Sequence, residues 1–386
     1  MQDFFSSDFT LGILGGGQLG KMLLYETRKF DVKTHVLDPS IEAPSRLACD
    51  SFFQGDLQDY QTVYDFGKKV DVLTYEIESV NLEALLQLEK EGKKVYPSAS
   101  TLQKIQNKAT QKAFYKQHNI PTAPFKRFDS KDLLLEALDA SLVTFPFVWK
   151  SGEGGYDGKG VSVIKTKNDL TDLPNVACIA EDLIDFKLEL AVIVVRNPSG
   201  DFKSYPVVEM EFHPEANQVE YVICPARIPD AIAQKAQDLA KEVSKAFDHV
   251  GVLAIEMFLT HDDQVLVNEV APRTHNSGHF TIEGSFTNQF EQHLRSVLDL
   301  PLGDVSSKLN AVMVNLVGSE GYNGAVSYEN LDQILQLPGV IPHIYGKKET
   351  RPFRKMGHVT IVHSQMSEAR ALAQTVKSQL KVVSKD

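Results

Sequence analysis

The sequence of 386 residues predicts a mixed α/β and α+β protein built from three parts. Two observations predict this organisation. Residues 9–97 alternate short apolar runs with helical patterns, which is typical of a parallel sheet covered on both faces. After residue 124, short apolar runs dominate and strong helical patterns return only near 229–247 and 289–298, which is typical of an α+β region. The predicted domains span residues 1–105, 106–300 (with a flap lobe at about 120–185) and 301–386.

The first element is an apolar run that leads into a glycine turn, "LGILGGGQLG" at residues 11–20. Gly15, Gly17 and Gly20 are spaced as G-x-G-x-x-G, and a helical pattern follows. Asp38 closes the next apolar run, "THVLD", about where a ribose-binding carboxylate of a dinucleotide-binding fold would lie. This stretch predicts a Rossmann-like first domain, and it raises NAD as a candidate ligand.

The following helices have recognisable starts and spacings. Leucines at helical spacing predict a helix within residues 81–91. The stretch "YPSAST" then predicts a turn in which Ser98 or Ser100 caps the next helix.

A second glycine-rich stretch, "KSGEGGYDGKG" at residues 150–160, lies between two predicted strands. It is not a Walker motif, because no Ser or Thr follows Gly158 and Lys159. One interpretation is a flap whose backbone N–H groups close over phosphates. The alternative is a hairpin loop without a ligand, which five glycines disfavour because they are costly in chain entropy.

Two carboxylates lie in the middle of apolar strands. Glu256 lies in "GVLAIEMFL" and Glu269 in "QVLVNEV", and the turn "THDDQ" between them predicts an antiparallel hairpin centred near Asp262. Glu256 then faces Asn268 and Glu269, and two carboxylates ~4 Å apart repel by ~4 kcal/mol at an effective dielectric of about 20. A magnesium ion would remove this repulsion. In the alternative, the two side chains face opposite sides of the sheet and pair with different lysines.

The loop "APRTHNSGH" at residues 271–279 follows this hairpin directly. His275 and His279 could suggest a zinc pair, but the residues between them are typical of a loop and no third soft ligand is near. The loop is better suited to an anion or a substrate, with Arg273 binding an oxyanion and His275 or Asn276 donating hydrogen bonds.

The last motif is the basic run "YGKKETRPFRKMGH" at residues 345–358, which contains Lys347, Lys348, Arg351, Arg354 and Lys355. Such a run can be a solvated face. Because glycine and proline interrupt it, a shaped loop that binds a phosphate is an equal alternative.

The rest of the composition excludes other classes of protein. Fifty-one acidic against 40 basic residues give a net charge of −11, which argues against an extended nucleic-acid surface. Cys49, Cys178 and Cys224 form no C-x-x-C pair, which excludes a disulfide framework or a thiolate zinc site and fits a reducing compartment. The sequence shows no signal peptide and no membrane span. We expect a cytoplasmic protein without nucleic-acid or membrane partners.

Together these stretches resemble the ATP-grasp superfamily, and within it the 5-(carboxyamino)imidazole ribonucleotide synthase family of purine biosynthesis. That family carries a GGGQLG turn, a GGYDGKG flap, an Asn–Glu strand end, an APRxHNSGH loop and a YGK…RPxRKMGH tail. All five occur here in order, at residues 15–20, 154–160, 268–269, 271–279 and 345–358. The resemblance implies an ATP-grasp fold whose Rossmann-like first domain binds a ribonucleotide rather than NAD, and whose small C-terminal domain completes the substrate site.

The resemblance also implies a reaction. ATP, bicarbonate and 5-aminoimidazole ribonucleotide would give 5-(carboxyamino)imidazole ribonucleotide, ADP and phosphate, via carboxyphosphate. Bicarbonate is a poor electrophile, and phosphoryl transfer would make it a reactive mixed anhydride while cations neutralise the developing charge. The expected enzyme is an ATP-dependent C–N ligase and a homodimer, with Mg2+ as cofactor and Mn2+ as a substitute.

The family's functional residues carry over onto matching positions of this sequence. Those expected to bind ATP are Lys108, Lys150, Gly155, Tyr156, Asp157, Gly158, Lys159, Glu181, Asp182, Leu183, Ile184, Glu189, His213, Asn268 and Glu269. Among these, Lys108 and Lys150 would contact phosphates, residues 181–184 the adenine edge, and Glu189 the ribose. The catalytic set is Tyr156, Asp157, Lys159, Arg273, His275 and Asn276. The ribonucleotide would contact Gly16, Gln18, Glu76, Lys347, Arg354 and Lys355. Magnesium would be held by Glu256, Asn268 and Glu269.

The sequence departs from the family pattern at two loop positions. Thr274 and Phe353 stand where the family commonly has proline and glycine, and neither change removes a charged group. Three rival functions share part of this pattern: an ATP-grasp ligase with another acceptor, a non-catalytic nucleotide sensor, and an NAD dehydrogenase. The five motifs disfavour the first, and the intact set of Lys150, Glu256, Asn268 and Glu269 disfavours the second.

Overall fold

The computed structural model describes residues 4, 6–152, 160–213 and 218–385. Its N-terminal part is a five-stranded parallel sheet in the order β3-β2-β1-β4-β5. The elements are β1 (Leu11–Leu14), α1 (Gln18–Lys29), β2 (Thr34–Asp38), β3 (Ser51–Gln54), α2 (Tyr60–Lys68), β4 (Val72–Tyr75), α3 (Leu82–Lys90), β5 (Lys94–Val95) and α4 (Ala99–Gln106).

Helices cover both faces of this sheet, as the alternating pattern predicts. Leu11 and Ile13 pack on one side against α1, whereas Leu14 and Leu37 pack on the other against α2 and α3. Ser98 caps α4, because its hydroxyl accepts a hydrogen bond from the backbone N–H of Thr101. This confirms one of the two capping residues that the sequence offered.

A small antiparallel lobe follows. It consists of α5 (Lys108–Gln117), β6 (Phe125–Phe128), α6 (Lys131–Asp139), β7 (Phe147–Ser151), β8 (Val161–Ile164) and β9 (Cys178–Asp182), with strands in the order β6-β9-β7-β8. Strands β7 and β8 pair as neighbours, so the second glycine-rich stretch connects two strands of a hairpin, as predicted.

The large sheet has nine strands and begins with elements of the middle region. These are β10 (Phe186–Arg196), β11 (Phe202–Ser204), β12 (Val208–Phe212), β13 (Val219–Cys224), α7 (Asp230–Phe247), β14 (Gly251–Thr260), β15 (Val265–Ala271), α8 (Thr281–Gly284) and α9 (Gln289–Val297). Helix α7 buries residues at helical spacing, such as Ala236, Leu239 and Val243, in a core shared with β10 and β14. Each fully buried aliphatic side chain of leucine or valine size contributes roughly 1.5–3 kcal/mol.

The C-terminal segment extends the same sheet. It comprises β16 (Asn310–Val317), β17 (Gly324–Glu329), α10 (Leu331–Ile334), β18 (Val340–Ile344), β19 (Glu349–Thr350), β20 (Lys355–His363), α11 (Met366–Gln379) and β21 (Lys381–Ser384). The large sheet runs β15-β14-β10-β12-β13-β16-β20-β18, with β11 beside β10, and β19-β17-β21 form a separate three-stranded sheet. The sheet therefore continues across the predicted boundary near residue 301, and the exact domain limits stay a prediction. No helix in the described part of the chain is long and apolar enough to cross a membrane.

Candidate active site

The glycine turn at the start of α1 is closed by carboxylates of the chain itself. The backbone N–H of Gly16 donates to Asp38 Oδ2 at 2.7 Å. The N–H groups of Gly17 and Gly20 donate to the two carboxylate oxygens of Glu76, at 2.7 and 3.0 Å. Gly15 has a φ of +96°, a conformation that L side chains rarely adopt. The partly positive N-terminus of α1 is thus neutralised by Glu76, which comes directly after β4.

Glu76 is the best-connected of the three predicted ribonucleotide contacts in this domain. Burial raises the pKa of Glu76 to about 7, although the two glycine N–H groups and Arg273 act in the opposite direction. The electrostatic effect of Arg273 shows that the turn and the 271–279 loop lie close together. Gly16 is buried, and Gln18 is the first residue of α1.

The two strand carboxylates lie opposite each other. In the β14–β15 hairpin Glu256 is paired with Glu269, and the register shifts at the next residue, so that Met257 is paired with Val267 and Asn268 is the extra residue of a bulge. The structure therefore confirms that Glu256 faces Asn268 and Glu269, and the alternative in which the carboxylates face opposite sides is wrong.

A lysine pairs with one of the two acids, and a second lysine contacts the neighbouring amide. Lys108, at the start of α5, forms an ion pair with Glu269, and Lys150 Nζ donates to Asn268 Oδ1 at 2.9 Å. Lys108 holds the pKa of Glu269 well below its usual range. Burial and the nearby Glu269 raise the pKa of Glu256 instead, with Lys355 acting weakly against them. The two acids are thus pushed apart in pKa by their surroundings, which is frequent in functional sites.

A buried triad lies next to this pair. Glu181 forms ion pairs with Lys112 at 2.9 Å and with Lys150 at 2.8 Å, and all three side chains are nearly inaccessible. Burial acts to raise the pKa of Glu181, but the two lysines outweigh it and lower the pKa. The Glu181 carboxylate is therefore engaged by lysines, and a contact of this residue with an adenine edge would fall to its backbone.

The other residues predicted to contact the nucleotide lie at the end of β9, on β10 and after β12. Asp182 and Leu183 are exposed at the end of β9, followed by Ile184. Glu189 is partly buried on β10, on the opposite face from the fully buried Leu190. Burial and the nearby Glu269 raise the pKa of Glu189 to about 7. His213 follows β12, and its ring lies 5.8 Å from that of Phe353.

The 271–279 loop reaches the carboxylate pair. His275 Nε2 lies 3.7 Å from Glu256 Oε1, and Arg273 Nε lies 3.3 Å from Glu78 Oε1. Residues Asn276–Gly278 form a single 3-10 turn rather than a helix. His279 is buried, and its Nδ1 lies 3.0 Å from Gln289 Nε2. His279 is therefore engaged with Gln289 rather than directed with His275 at a common metal position. This arrangement favours the anion loop over the zinc pair.

The basic run forms a shaped loop around the start of β20. Lys347 Nζ donates to Lys355 O at 2.8 Å, and Arg354 Nη1 donates to Glu349 O at 2.7 Å. Lys21 of α1 donates to the backbone carbonyls of Ile344 and Tyr345, at 2.9 and 3.3 Å, and so ties this loop to the glycine turn. The run is therefore a hydrogen-bonded loop in which Lys348 and Arg351 are exposed, and phosphate binding by it stays a prediction.

The structure brings together part of the predicted set around the carboxylate pair, namely Lys108, Lys150, Glu256, Asn268, Glu269 and His275. Five catalytic and ATP-binding predictions lie outside the described residues: Gly155, Tyr156, Asp157, Gly158 and Lys159. Sequence reasoning missed Lys112, Glu78, Gln289 and Asn315. The position of Lys112, one helical turn after Lys108, was an available signal, because residues four apart lie on the same helix face.

The donor set suits a hard cation. Two facing carboxylates and an amide oxygen are ligands that Mg2+ accepts, and lysine ammonium groups contact two of the three, Glu269 and Asn268. Across residues 6–152, 160–213 and 218–385, no three His, Cys, Asp or Glu side chains are close enough to hold a metal by themselves. Magnesium usually takes one or two carboxylates and completes its shell with phosphate oxygens and water, so these residues fit the ion as a partner of a nucleotide.

Comparison with known proteins gives three consecutive domain matches. These are a ribonucleotide synthetase preATP-grasp domain over residues 9–106, an ATP-grasp domain over 113–290, and a phosphoribosylaminoimidazole carboxylase C-terminal domain over 311–372. The fold and these domain matches therefore define an ATP-grasp protein, as the sequence motifs indicated.

Whole-chain similarity narrows this class. The chain is 38% identical over 357 residues to N5-carboxyaminoimidazole ribonucleotide synthase of Bacillus subtilis, covering 91% of each chain. It superposes with a TM-score of 0.90 on the crystal structure of N5-carboxyaminoimidazole ribonucleotide synthetase from Thermotoga maritima, at 41% identity, covering 98% of this chain and 100% of that one. The chain belongs to the N5-carboxyaminoimidazole ribonucleotide synthase family, which confirms the resemblance drawn from the five motifs.

Two further comparisons bear on function. The structure of N5-carboxyaminoimidazole synthase from Aspergillus clavatus in complex with ADP and 5-aminoimidazole ribonucleotide superposes with a TM-score of 0.85, at 33% identity, covering 96% of this chain and 98% of that one. Longer relatives also match: the chain is 37% identical to phosphoribosylaminoimidazole carboxylase of Candida glabrata and spans 64% of its length.

Proposed function

We propose that this protein catalyses the ATP-dependent carboxylation of 5-aminoimidazole ribonucleotide by bicarbonate, giving 5-(carboxyamino)imidazole ribonucleotide, ADP and phosphate. The observation that carries the proposal is the facing pair of Glu256 and Glu269, with Lys108 and Lys150 beside it. This is an arrangement of charges suited to a metal-bound triphosphate. The family relationship and the titles of the related complexes support the choice of substrates.

The nucleotide would lie along the small lobe. Lys108 and Lys150 would exchange their present acidic and amide partners for phosphate oxygens, and Glu189 would accept hydrogen bonds from ribose hydroxyls. The backbone of residues 181–184 would bind the adenine edge, and His213 the other side of the nucleotide. When bound by Glu256, Asn268 and Glu269, Mg2+ (or Mn2+ in its place) would neutralise charge on the phosphates.

Bicarbonate would lie at the 271–279 loop. Arg273 can bind its negative oxygens, and Asn276 can hold it by hydrogen bonds while His275, close to Glu256, faces the transferred phosphoryl group. Transfer of the γ-phosphoryl group to bicarbonate breaks the bond from phosphorus to the ADP oxygen and forms one to a bicarbonate oxygen. The amine of the ribonucleotide then attacks the carboxyl carbon, releasing phosphate and a proton.

The ribonucleotide would span the interface of the N-terminal domain and the basic loop. Gly16, Gln18 and Glu76 would contact its ribose side, and Lys347, Arg354 and Lys355 its phosphate. Two observations support a site shared by these parts of the chain. The Lys21 hydrogen bonds hold the basic loop against α1, and the charge of Lys355 acts to lower the pKa of Glu256. The flap residues Gly155, Tyr156, Asp157, Gly158 and Lys159 complete the proposed site. A cytoplasmic homodimer is part of the proposal on the strength of the family pattern.

The test is ADP release with MgATP and bicarbonate, with and without 5-aminoimidazole ribonucleotide. Strong dependence on the ribonucleotide is expected. ADP release that is indifferent to the ribonucleotide would refute this acceptor and point to another ATP-grasp ligase. Absence of ADP under all conditions would refute the enzyme and favour a nucleotide sensor.

A further inference from the structure

A pair of side-chain amides links the 271–279 loop to the C-terminal part of the large sheet. Asn276 Nδ2 donates to Asn315 Oδ1 at 2.8 Å, and Asn315 Nδ2 donates back to Asn276 Oδ1 at 2.9 Å. Asn315 Nδ2 also donates to Val219 O at 2.8 Å. Asn315 lies on β16 and is only 3% exposed, whereas Asn276 lies in the 3-10 turn and is partly accessible.

This reciprocal pair determines which way the Asn276 amide points. The oxygen and nitrogen of an asparagine amide can exchange places by rotation of the side chain, and only the hydrogen-bond partners decide between the two orientations. Here the carbonyl of Val219 fixes the orientation of Asn315, and Asn315 in turn fixes that of Asn276. One hydrogen of Asn276 Nδ2 is left available to a ligand.

The backbone of the turn is held independently of this pair. Gln289 of α9 accepts from the N–H of His275 at 2.9 Å and donates to its carbonyl at 2.8 Å. The turn therefore keeps its backbone position without Asn315. Loss of the Asn315 amide should affect the orientation of one side chain rather than the fold of the loop.

We propose that Asn315 is a positioning residue that orients the Asn276 amide toward the anionic co-substrate. The inference rests on the proposed function, in which Asn276 contacts bicarbonate. Asn315 would act on the ligand through Asn276, because its amide is hydrogen-bonded to the Asn276 amide and to the Val219 carbonyl. Asn315 lies within the apolar strand "NAVMVNLV". Leucine or alanine could make the same backbone hydrogen bonds in the sheet, so the sheet itself does not require an asparagine there.

The test is a double-mutant cycle of Asn276→Ala, Asn315→Ala and the double variant, with KM and kcat measured separately for bicarbonate and ATP. Each single variant is expected to raise KM for bicarbonate about tenfold, the size expected for one or two lost hydrogen bonds to an anion. KM for ATP should stay within twofold. The double variant should match Asn276→Ala alone, because Asn315 has nothing left to orient.

Two further variants separate positioning from folding. Asn310→Ala removes an asparagine from the same strand, whose amide donates to Ser364 O at 2.8 Å near the surface, and it should leave all constants unchanged. Asn315→Asp keeps an acceptor for Asn276 but has no N–H for Asn276 Oδ1 or Val219 O. Its negative charge should raise KM for bicarbonate more than Asn315→Ala does.

Multiplicative effects in the double variant, or equal losses for ATP and bicarbonate, would overturn the inference while leaving the proposed function intact. A wild-type protein whose ADP release ignores bicarbonate would instead refute the proposed function. The positioning role can still be tested then, without turnover, by the NMR resonances of the side-chain amides in protein labelled with 15N-asparagine. The Asn276 pair should shift in Asn315→Ala and stay in place in Asn310→Ala. An unshifted Asn276 pair in Asn315→Ala would refute the positioning role.

Discussion

Replacing Glu269 by glutamine tests the carboxylate pair most directly. The substitution keeps the shape of the side chain but removes the charge that pairs with Lys108 and faces Glu256 across the hairpin. Two unit charges ~4 Å apart interact by ~4 kcal/mol at an effective dielectric of about 20. In the proposed site the Glu269 charge binds the cation that stabilises the transition state of phosphoryl transfer. Losing an interaction of this size should lower the rate of ADP formation by about 10³-fold. The assay is ADP release at saturating ATP and ribonucleotide.

The same variant should depend more steeply on magnesium. With one carboxylate fewer, Glu269→Gln should need a higher Mg2+ concentration for half-maximal rate, and excess Mg2+ should restore part of the activity. Glu242→Gln is a matched control, because Glu242 is an exposed acid on α7 and is not part of the proposed site. Near-normal ADP production by Glu269→Gln, at the same Mg2+ requirement as the Glu242→Gln control, would refute the metal assignment.

Three further predictions concern other parts of the molecule. Lys347→Met should raise KM for the ribonucleotide far more than KM for ATP, because Lys347 belongs to the basic loop; equal changes in both constants would contradict this. Phe353 has a φ of +61° where the family commonly has glycine. Phe353→Gly should therefore be more stable to urea than Phe353→Ala by about 1 kcal/mol, since both remove the ring and only glycine relieves the backbone. Burial lowers the pKa of Lys112 from 10.5 to about 8. Between these two pH values the unfolded chain therefore holds more protons than the folded one, and the free energy of unfolding should rise with pH by up to roughly 3 kcal/mol. Lys112→Met should lack that rise between urea midpoints at pH 7.5 and 9.5, and an unchanged pH slope in the variant would show that Lys112 is not the cause.

The parts of the fold that the sequence predicts are those set by local patterns. The hairpin of Glu256 and Glu269 follows from two apolar strands and a short polar turn, and its register brings the acids together because side chains alternate along a strand. The Ser98 cap and helix α7 were likewise visible in spacing and residue type alone. Each of these depends on residues a few positions apart.

The parts that could not be predicted depend on partners distant in the chain. Lys112 and Glu181 are 69 positions apart, and a lysine on a helix ordinarily indicates a solvated face rather than a buried ion pair. Asn315 pairs with a residue 39 positions earlier, and its only signal was a single polar residue within an apolar strand. The joining of β13 to β16 is similar: no sequence pattern states which strand edge a later strand will choose.

The glycine turn shows why a motif alone does not define a ligand. In a dinucleotide-binding fold, the N–H groups at the start of the first helix bind a pyrophosphate, and an acid like Asp38 binds the ribose. Here those N–H groups donate to Asp38 and Glu76 instead. A pyrophosphate at the same place would meet a charge of its own sign, at a cost of several kcal/mol when the groups are ~4 Å apart. The turn can still contact a ribonucleotide through neutral groups such as hydroxyls, because the carboxylate of Glu76 is an acceptor fixed in place by the turn itself. The residue that decides between the two ligands thus lies at the end of β4, about 60 positions after the glycines that attract attention first.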